Sequence, residues 1–163
     1  MGRAALTQHN NPLQGVQQLG LDTAPFIYFI ERNPIFIDRA RAVFRLISAG
    51  TITGYSSVIT LTEVLTQPLQ TNNHAVVAEY RSLLLDSENL FLIPVTPAVA
   101  ERAAELRATY QLRTPDAIQI AAALETQCDA FLTNDRRLQR VNEIRILVFA
   151  DLVDIVPQSS EQS

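Results

Sequence analysis

Between Gln17 and Phe149 short apolar runs, too brief for helices, alternate with longer segments of helical period, and this alternation restricts the fold severely. The runs QQLGLD (17–22), TITGYSS (51–57), NLFLIPV (89–95), DAFLTN (129–134) and EIRILVF (143–149) read as strands. Between them, TAPFIYFIE carries Pro25 in a first helical turn. IDRARAVFRLISAG spaces Ile37, Ala40, Val43, Phe44 and Ile47 at helical intervals before Gly50 stops it. VITLTEVLTQ turns helical and halts at Pro68, and HAVVAEYRSLLLD and PAVAERAAELRATYQL are further helices. TPDAIQIAAALETQ is the last, with Thr114 as N-cap and Pro115 at the first helical position. Such alternation implies right-handed crossovers and a mainly parallel five-stranded sheet in an α/β fold, covered by helices on both faces. Ligands then bind beyond the carboxyl ends of the strands, so acids at those ends matter most.

The chain of 163 residues fits one domain, 17–156, between a flexible polar leader (1–16) and a frayed tail (157–163). With 47% hydrophobic and 18% charged residues it suits a compact protein rather than a disordered one. No apolar stretch is long enough to span a bilayer and no secretory signal is evident, which points to the cytoplasm and away from membranes. Cys128 is the only cysteine, so an intrachain disulfide and a multi-cysteine zinc site are excluded, and it reads as a small, partly buried residue. The net charge of −4 argues against a general nucleic-acid coat but leaves room for local arginines around an acidic site. All 13 basic residues are arginine.

Position selects among the 17 acids. Asp22 closes the first strand and Asp135 follows the fourth, so both project from one rim of the sheet. Asp116 lies in the first turn of a helix with a long apolar face (Ala117, Ile118, Ile120, Ala121, Leu124). Glu63 sits between Leu61 and Val64–Leu65, where a carboxylate is costly to bury alone. Each has an ordinary structural reading as cap, turn or solvent-facing residue. Gathered together, carboxylates repel one another unless a divalent cation compensates them. Oxygen ligands without His or Cys favour Mg²⁺ or Mn²⁺ over zinc, a chemistry suited to phosphodiester hydrolysis by activated water.

The segments LGLDTAPFIYFIE, SSVITLTEVL, TPDAIQIAAAL and DAFLTNDRRL, in this order across most of residues 17–149, resemble the PIN-domain family, in particular the VapC-type ribonuclease toxins of bacterial toxin–antitoxin pairs. The resemblance implies a PIN-like fold with sheet order 3-2-1-4-5 and Mg²⁺-dependent endoribonuclease activity on an RNA substrate. By motif, Asp22 and Asp116 would be the principal metal ligands, with Glu63 and Asp135 completing the cage or orienting water. Thr133 and Asn134 would support the rim, and Arg113, Arg136, Arg137 and Arg140 flank the later acids where they are placed to hold phosphates. An antitoxin protein lying over the apolar helices and a homodimer are also implied. The apolar run Phe26-Ile27-Tyr28-Phe29-Ile30 is a candidate surface for such contacts, or plain core. The leader is longer than such proteins usually carry.

Other α/β phosphate chemistries fit poorly. Receiver and dehalogenase folds use a lysine beside the first-strand Asp, and the chain has none. The five glycines form neither a dinucleotide-binding fingerprint nor a P-loop. His9 and His74 lie in polar segments and support no nucleophile relay. The surviving alternative is a catalytically silent PIN-fold module that acts through protein or RNA partners.

Overall fold

The computed structural model describes residues 11–153 and 155. Among these, strands β1 (Gln18–Leu21), β2 (Thr53–Ser57), β3 (Leu90–Ile93), β4 (Ala130–Thr133) and β5 (Arg145–Val148) form one sheet. All four pairings are parallel and the order is β3-β2-β1-β4-β5, as the alternation and the resemblance together imply. The carboxyl ends of all five strands therefore share one edge. Helices α1 (Thr23–Ile30), α2 (Ile37–Ser48), α3 (Ile59–Gln70), α4 (His74–Asp86), α5 (Pro97–Tyr110) and α6 (Thr114–Glu125) make the crossovers. Short 3₁₀ turns follow β4 (Arg136–Arg140) and β5 (Phe149–Asp151).

The period-two alternation of the strands divides the core in two. Leu19, Leu21, Ala130 and Leu132 pack with Phe26 of α1, Val43 of α2, Val64 of α3 and Tyr80 of α4. On the opposite face, Phe131 packs with Leu106 of α5 and Ile120 of α6. Burying each large apolar side chain stabilises the fold by roughly 1.5–3 kcal/mol, so both layers are needed. The run 26–30 belongs to this core: Phe26 is fully buried, and its four followers pack against the first cluster.

Helix α6 approaches the central strand unusually closely. A Cβ built on Gly20 would lie 2.6 Å from the Cβ of Ala123 and 3.0 Å from the Phe131 ring, so only glycine fits. The alanines at 121–123, all buried, let the α6 backbone descend to β1. Elsewhere Gly50, at φ +76°, ends α2 in the left-handed conformation that its sequence position implies.

Four local expectations need correction. Helix α3 does not halt at Pro68 but runs to Gln70. A proline forfeits only its own N–H bond, and Pro68 lies so near the end, and so well buried, that the turn persists. Thr114 is the first helical residue rather than the cap; Arg113 occupies the cap position and makes no side-chain cap bond. The leader does not extend to residue 16: Leu13 and Val16 are buried in the first core cluster, and Arg145 donates to the Pro12 carbonyl at 2.9 Å. Residues 1–10, with His9, and the tail 157–163 lie outside the described residues. Finally, β2 begins at Thr53, two residues inside the expected run.

Cys128 is half-buried beside Thr126, and burial pushes its thiol up to about 11, so it stays protonated near neutrality. His74 is exposed at the first residue of α4.

The Gly20–Ala123 contact makes a direct prediction. Gly20→Ala will lose about 1–3 kcal/mol of stability through overpacking, measured by urea unfolding. Adding Ala123→Gly will restore part of that loss. Unchanged stability in the single variant would mean that α6 rides higher above the sheet.

Candidate functional site

The carboxyl edge of the sheet opens into a cleft of about 470 Å³ whose walls include Asp22, Glu63, Asp116 and Asp135. All four acids selected from the sequence thus face one space. They arrive from different elements: Asp22 from the end of β1, Glu63 from α3, Asp116 from the first turn of α6, and Asp135 from the turn after β4.

Asp22 is the most deeply set. It caps α1, accepting the Thr23 N–H at 2.8 Å on Oδ1, and accepts the Thr133 hydroxyl at 2.8 Å on Oδ2. Burial pushes its carboxyl above the usual carboxylate range, against these two hydrogen bonds, and the charges of Asp116 and Glu63 push in the same direction as burial. Thr133, itself fully buried, also accepts the Asp135 N–H at 3.0 Å. One hydroxyl therefore ties the first acid to the loop that carries the fourth.

The other acids carry partners of their own. Glu63 accepts the Thr23 hydroxyl at 2.9 Å. Asp116 accepts Arg113 Nε at 3.1 Å. Asp135 caps the 3₁₀ turn through the Arg137 N–H at 3.0 Å and takes both Nε and Nη2 of that guanidinium, at 3.0 and 2.9 Å. The Arg137 guanidinium holds the Asp135 carboxyl below the usual range, so this acid is ionised.

The arginines divide unexpectedly. Arg113 and Arg137 line the cleft, whereas Arg136 forms a two-bond pair with Asp151, at 2.6 and 3.0 Å, and does not line it. Successive residues of a 3₁₀ turn point about 120° apart, which separates Arg136 from Arg137. Arg140 is spent as a cap: its Nε and Nη2 both donate to the Tyr110 carbonyl at the end of α5. Asn134 braces the rim, donating to the Tyr28 hydroxyl at 2.8 Å and accepting the Ala150 N–H at 3.1 Å.

Sequence reasoning passed over Thr23, Gln119, Ser56 and Thr60, a buried polar group directly beneath Asp22 and Glu63. The one available signal was Gln119 standing alone in the apolar run AIQIAAAL.

A cation fits the donors that face the cleft. They are carboxylate, hydroxyl and amide oxygens with no His or Cys among the lining residues, a set suited to a hard divalent ion. The upward shift of Asp22 is the signature of desolvated, like-charged oxygens that a cation would relieve. Among the described residues, however, no three His, Cys, Asp or Glu side chains are gathered tightly enough to form a ready-made cage. Each acid is turned toward its own hydroxyl or guanidinium partner, so the carboxylates would have to close in for an ion to be held.

A second groove, about 320 Å³, crosses α1, α2 and α4 and is lined by Phe29, Phe44, Ile47, Leu83 and Leu90, with Glu88 its one ionisable lining residue. Its lining suits apolar contact rather than chemistry. Among the described residues no helix is long and apolar enough to cross a membrane.

Comparison with known proteins agrees with this architecture. Among curated proteins none matches the sequence. Solved structures of similar fold include VapBC2 from Rickettsia felis bound to a promoter DNA fragment (TM-score 0.64, 17% identity, covering 81% of this chain and 98% of that one). DNA-bound VapBC from Salmonella typhimurium is similar at TM-score 0.63 and 22% identity, covering 82% of this chain and 98% of that one. A toxin–antitoxin complex from Klebsiella pneumoniae follows at TM-score 0.60 and 21% identity, with 82% and 98% covered. The model of the PIN domain matches residues 20–144, most of the chain and all four acids, and the protein therefore belongs to the PIN domain family.

Proposed function

We propose that this chain is a Mg²⁺- or Mn²⁺-dependent endoribonuclease, the toxin of a toxin–antitoxin pair. The observation that carries the reading is the Asp22 carboxylate, desolvated at the carboxyl end of the central strand and facing three further acids across one open cleft. A fold keeps so costly an arrangement for chemistry more readily than for packing. Membership of the PIN family and the likeness to toxin–antitoxin complexes support the same direction.

Asp22 and Asp116 would hold the cation, with Glu63 and Asp135 beside them. Bound there, a divalent ion supplies positive charge at the phosphate and lowers the pKa of water. The chain's own residues do the rest. Thr133 and the Thr23 N–H orient both Asp22 oxygens. Arg113 and Arg137, whose side chains are 74% and 76% exposed, pair with Asp116 and Asp135 where solvent reaches them. An exposed single-bond pair is worth about 0–1 kcal/mol, so Arg113 can leave its carboxylate for a phosphate oxygen at little cost, whereas Arg137 gives up a two-bond pair and gains an equivalent one on a phosphate.

The partners follow by analogy. An antitoxin would cover the apolar groove over α1, α2 and α4 and send a cation into the acidic cleft, and the toxin would act as a homodimer in the cytoplasm. An antitoxin reading frame adjoining the gene is the simplest check of this part.

Incubation with total RNA and Mg²⁺, followed by mapping of new ends, tests the catalytic reading. Cleavage is expected from the wild type and should fall about a hundredfold or more in Asp22→Asn, since even outer-shell changes at metal sites cost 10–100-fold. Equal cleavage by the two proteins would overturn the mechanism and leave the silent binding module standing. Arg137→Ala is expected to raise KM by about tenfold, the equivalent of ~1.4 kcal/mol, with kcat nearly unchanged.

Asp22→Asn should also change stability, with a definite sign. A carboxyl whose pKa is raised by folding binds its proton more tightly in the native state, so native stability falls as pH rises through that raised value. The neutral Asn escapes this penalty. Asp22→Asn is expected to melt a few degrees higher than wild type at pH 7, with the gap closing below pH 4. A lower Tm for the variant at pH 7 would show that the Asp22 charge is well accommodated without metal.

A further inference from the structure

Beneath the cleft lies a buried polar group that the acids and arginines do not explain. Gln119 is 2% exposed in the middle of α6, where an unsatisfied amide would be costly. Ser56, Ser57, Thr60 and Thr23 surround it, all buried. Among the described residues every buried side-chain nitrogen and oxygen has a hydrogen-bond partner, so this group is closed.

The direction of its bonds follows from one donor that cannot reverse. The Ser57 N–H donates to Gln119 Oε1 at 3.0 Å, which orients the amide. Nε2 must then donate, to Thr60 Oγ1 at 2.7 Å and toward Thr23 Oγ1 at 3.4 Å. A hydroxyl that accepts in this way keeps its own hydrogen to give. Thr60 gives it to Ser56 Oγ at 2.8 Å, and Ser56 in turn donates to the Leu21 carbonyl at 2.8 Å. Thr23 gives it to Glu63 Oε2 at 2.9 Å.

We infer that Gln119 is a positioning residue for the acidic cleft: through Thr23 it fixes a hydroxyl donor on Glu63 and so holds that carboxylate at the cleft wall. Glu63 needs such a hold. It stands on the exposed side of α3, and its long side chain has rotamers that point to open solvent. Asp22 and Asp116 have short side chains with little reach, so closing the donors around an ion depends disproportionately on where Glu63 is held. A donor with a fixed hydrogen restricts it, and the Gln119 N–H aimed at the Thr23 oxygen turns that hydrogen away from the amide and toward Glu63. The inference rests on the cleft being a divalent-cation site.

Mn²⁺ binding to the full-length protein, followed by electron paramagnetic resonance, tests it without reference to activity. Gln119→Met keeps the length and volume of the side chain and removes its donors and acceptor. It is expected to weaken Mn²⁺ binding roughly tenfold, as loss of an outer-shell partner does. Thr23→Val should give the same loss, and the double variant no more than either alone, because both break one chain of bonds. Thr60→Val severs the branch that leads away from Glu63; it should lower Tm while leaving Mn²⁺ affinity within twofold of wild type. Circular dichroism of each variant confirms that the folded form is being compared. Wild-type affinity in Gln119→Met, multiplied losses in the double variant, or a tenfold loss in Thr60→Val would each overturn the relay while leaving the metal reading intact. Failure of the wild type itself to bind Mn²⁺ would overturn the metal reading, and the relay with it.

Discussion

The site is built on the contact between α6 and β1. With no Cβ on Gly20 and a methyl opposite it on Ala123, the helix lies lower on the sheet than larger side chains would permit. That depth brings Gln119 within reach of Ser57 on β2 and Thr23 on α1, and it aims Asp116 into the space beyond the strand ends. Because the interior is close-packed, a helix displaced by a methyl group would carry its polar side chains with it. A packing decision at a glycine thus becomes a statement about a carboxylate two turns along the helix.

Around that frame, the chain faces the problem of gathering negative charge. The solution is graded by depth. At the bottom, Asp22 has only neutral donors, the Thr133 hydroxyl and a backbone N–H, and burial leaves it harder to ionise. Near the mouth, Asp116 and Asp135 take guanidinium partners that water can reach. Neutral donors at depth orient a carboxylate without cancelling its charge, whereas solvated cations are held weakly enough to be exchanged. An all-arginine complement suits this arrangement, since a planar guanidinium can pass from a carboxylate to a phosphate with the same two-pronged geometry.

The parts legible in the sequence were those governed by local rules. Period-two and helical patterns located the strands and helices, and a parallel sheet then carried Asp22 and Asp135 to one edge. Asp116 and Glu63 required the family resemblance, because a lone acid in a helix has several ordinary explanations. Legibility ended where tertiary contact overrides local preference. Leu13 and Val16 read as leader because a short turn has no period, yet the core takes them. Pro68 read as a stop, although a buried helix end tolerates one lost bond. Arg136 and Arg137 are indistinguishable as neighbours in sequence; the 3₁₀ turn sends one to Asp151 and the other to the cleft. Gln119 was the most telling omission. A single polar residue in an apolar helix ordinarily marks the solvent face, and only the fold reveals that it points inward.

The polar group around Gln119 bears on how stability and chemistry are divided in this fold. Apolar residues at positions 23, 56, 60 and 119 would bury as well and spare the fold a network that must be satisfied at every atom. What the polar residues add is direction: one backbone N–H on β2 determines which way each hydroxyl points, as far as Glu63. An apolar core transmits shape but no such polarity. The same network joins the helices of the two faces of the sheet. The α1–α4 layer is held by aromatic and aliphatic packing with Tyr80 tied to Glu31 at its rim, yet its Thr23 and Thr60 meet Gln119 of α6 in oriented bonds under the acids. Apolar packing on both faces is what permits the edge between them to hold costly carboxylates in place.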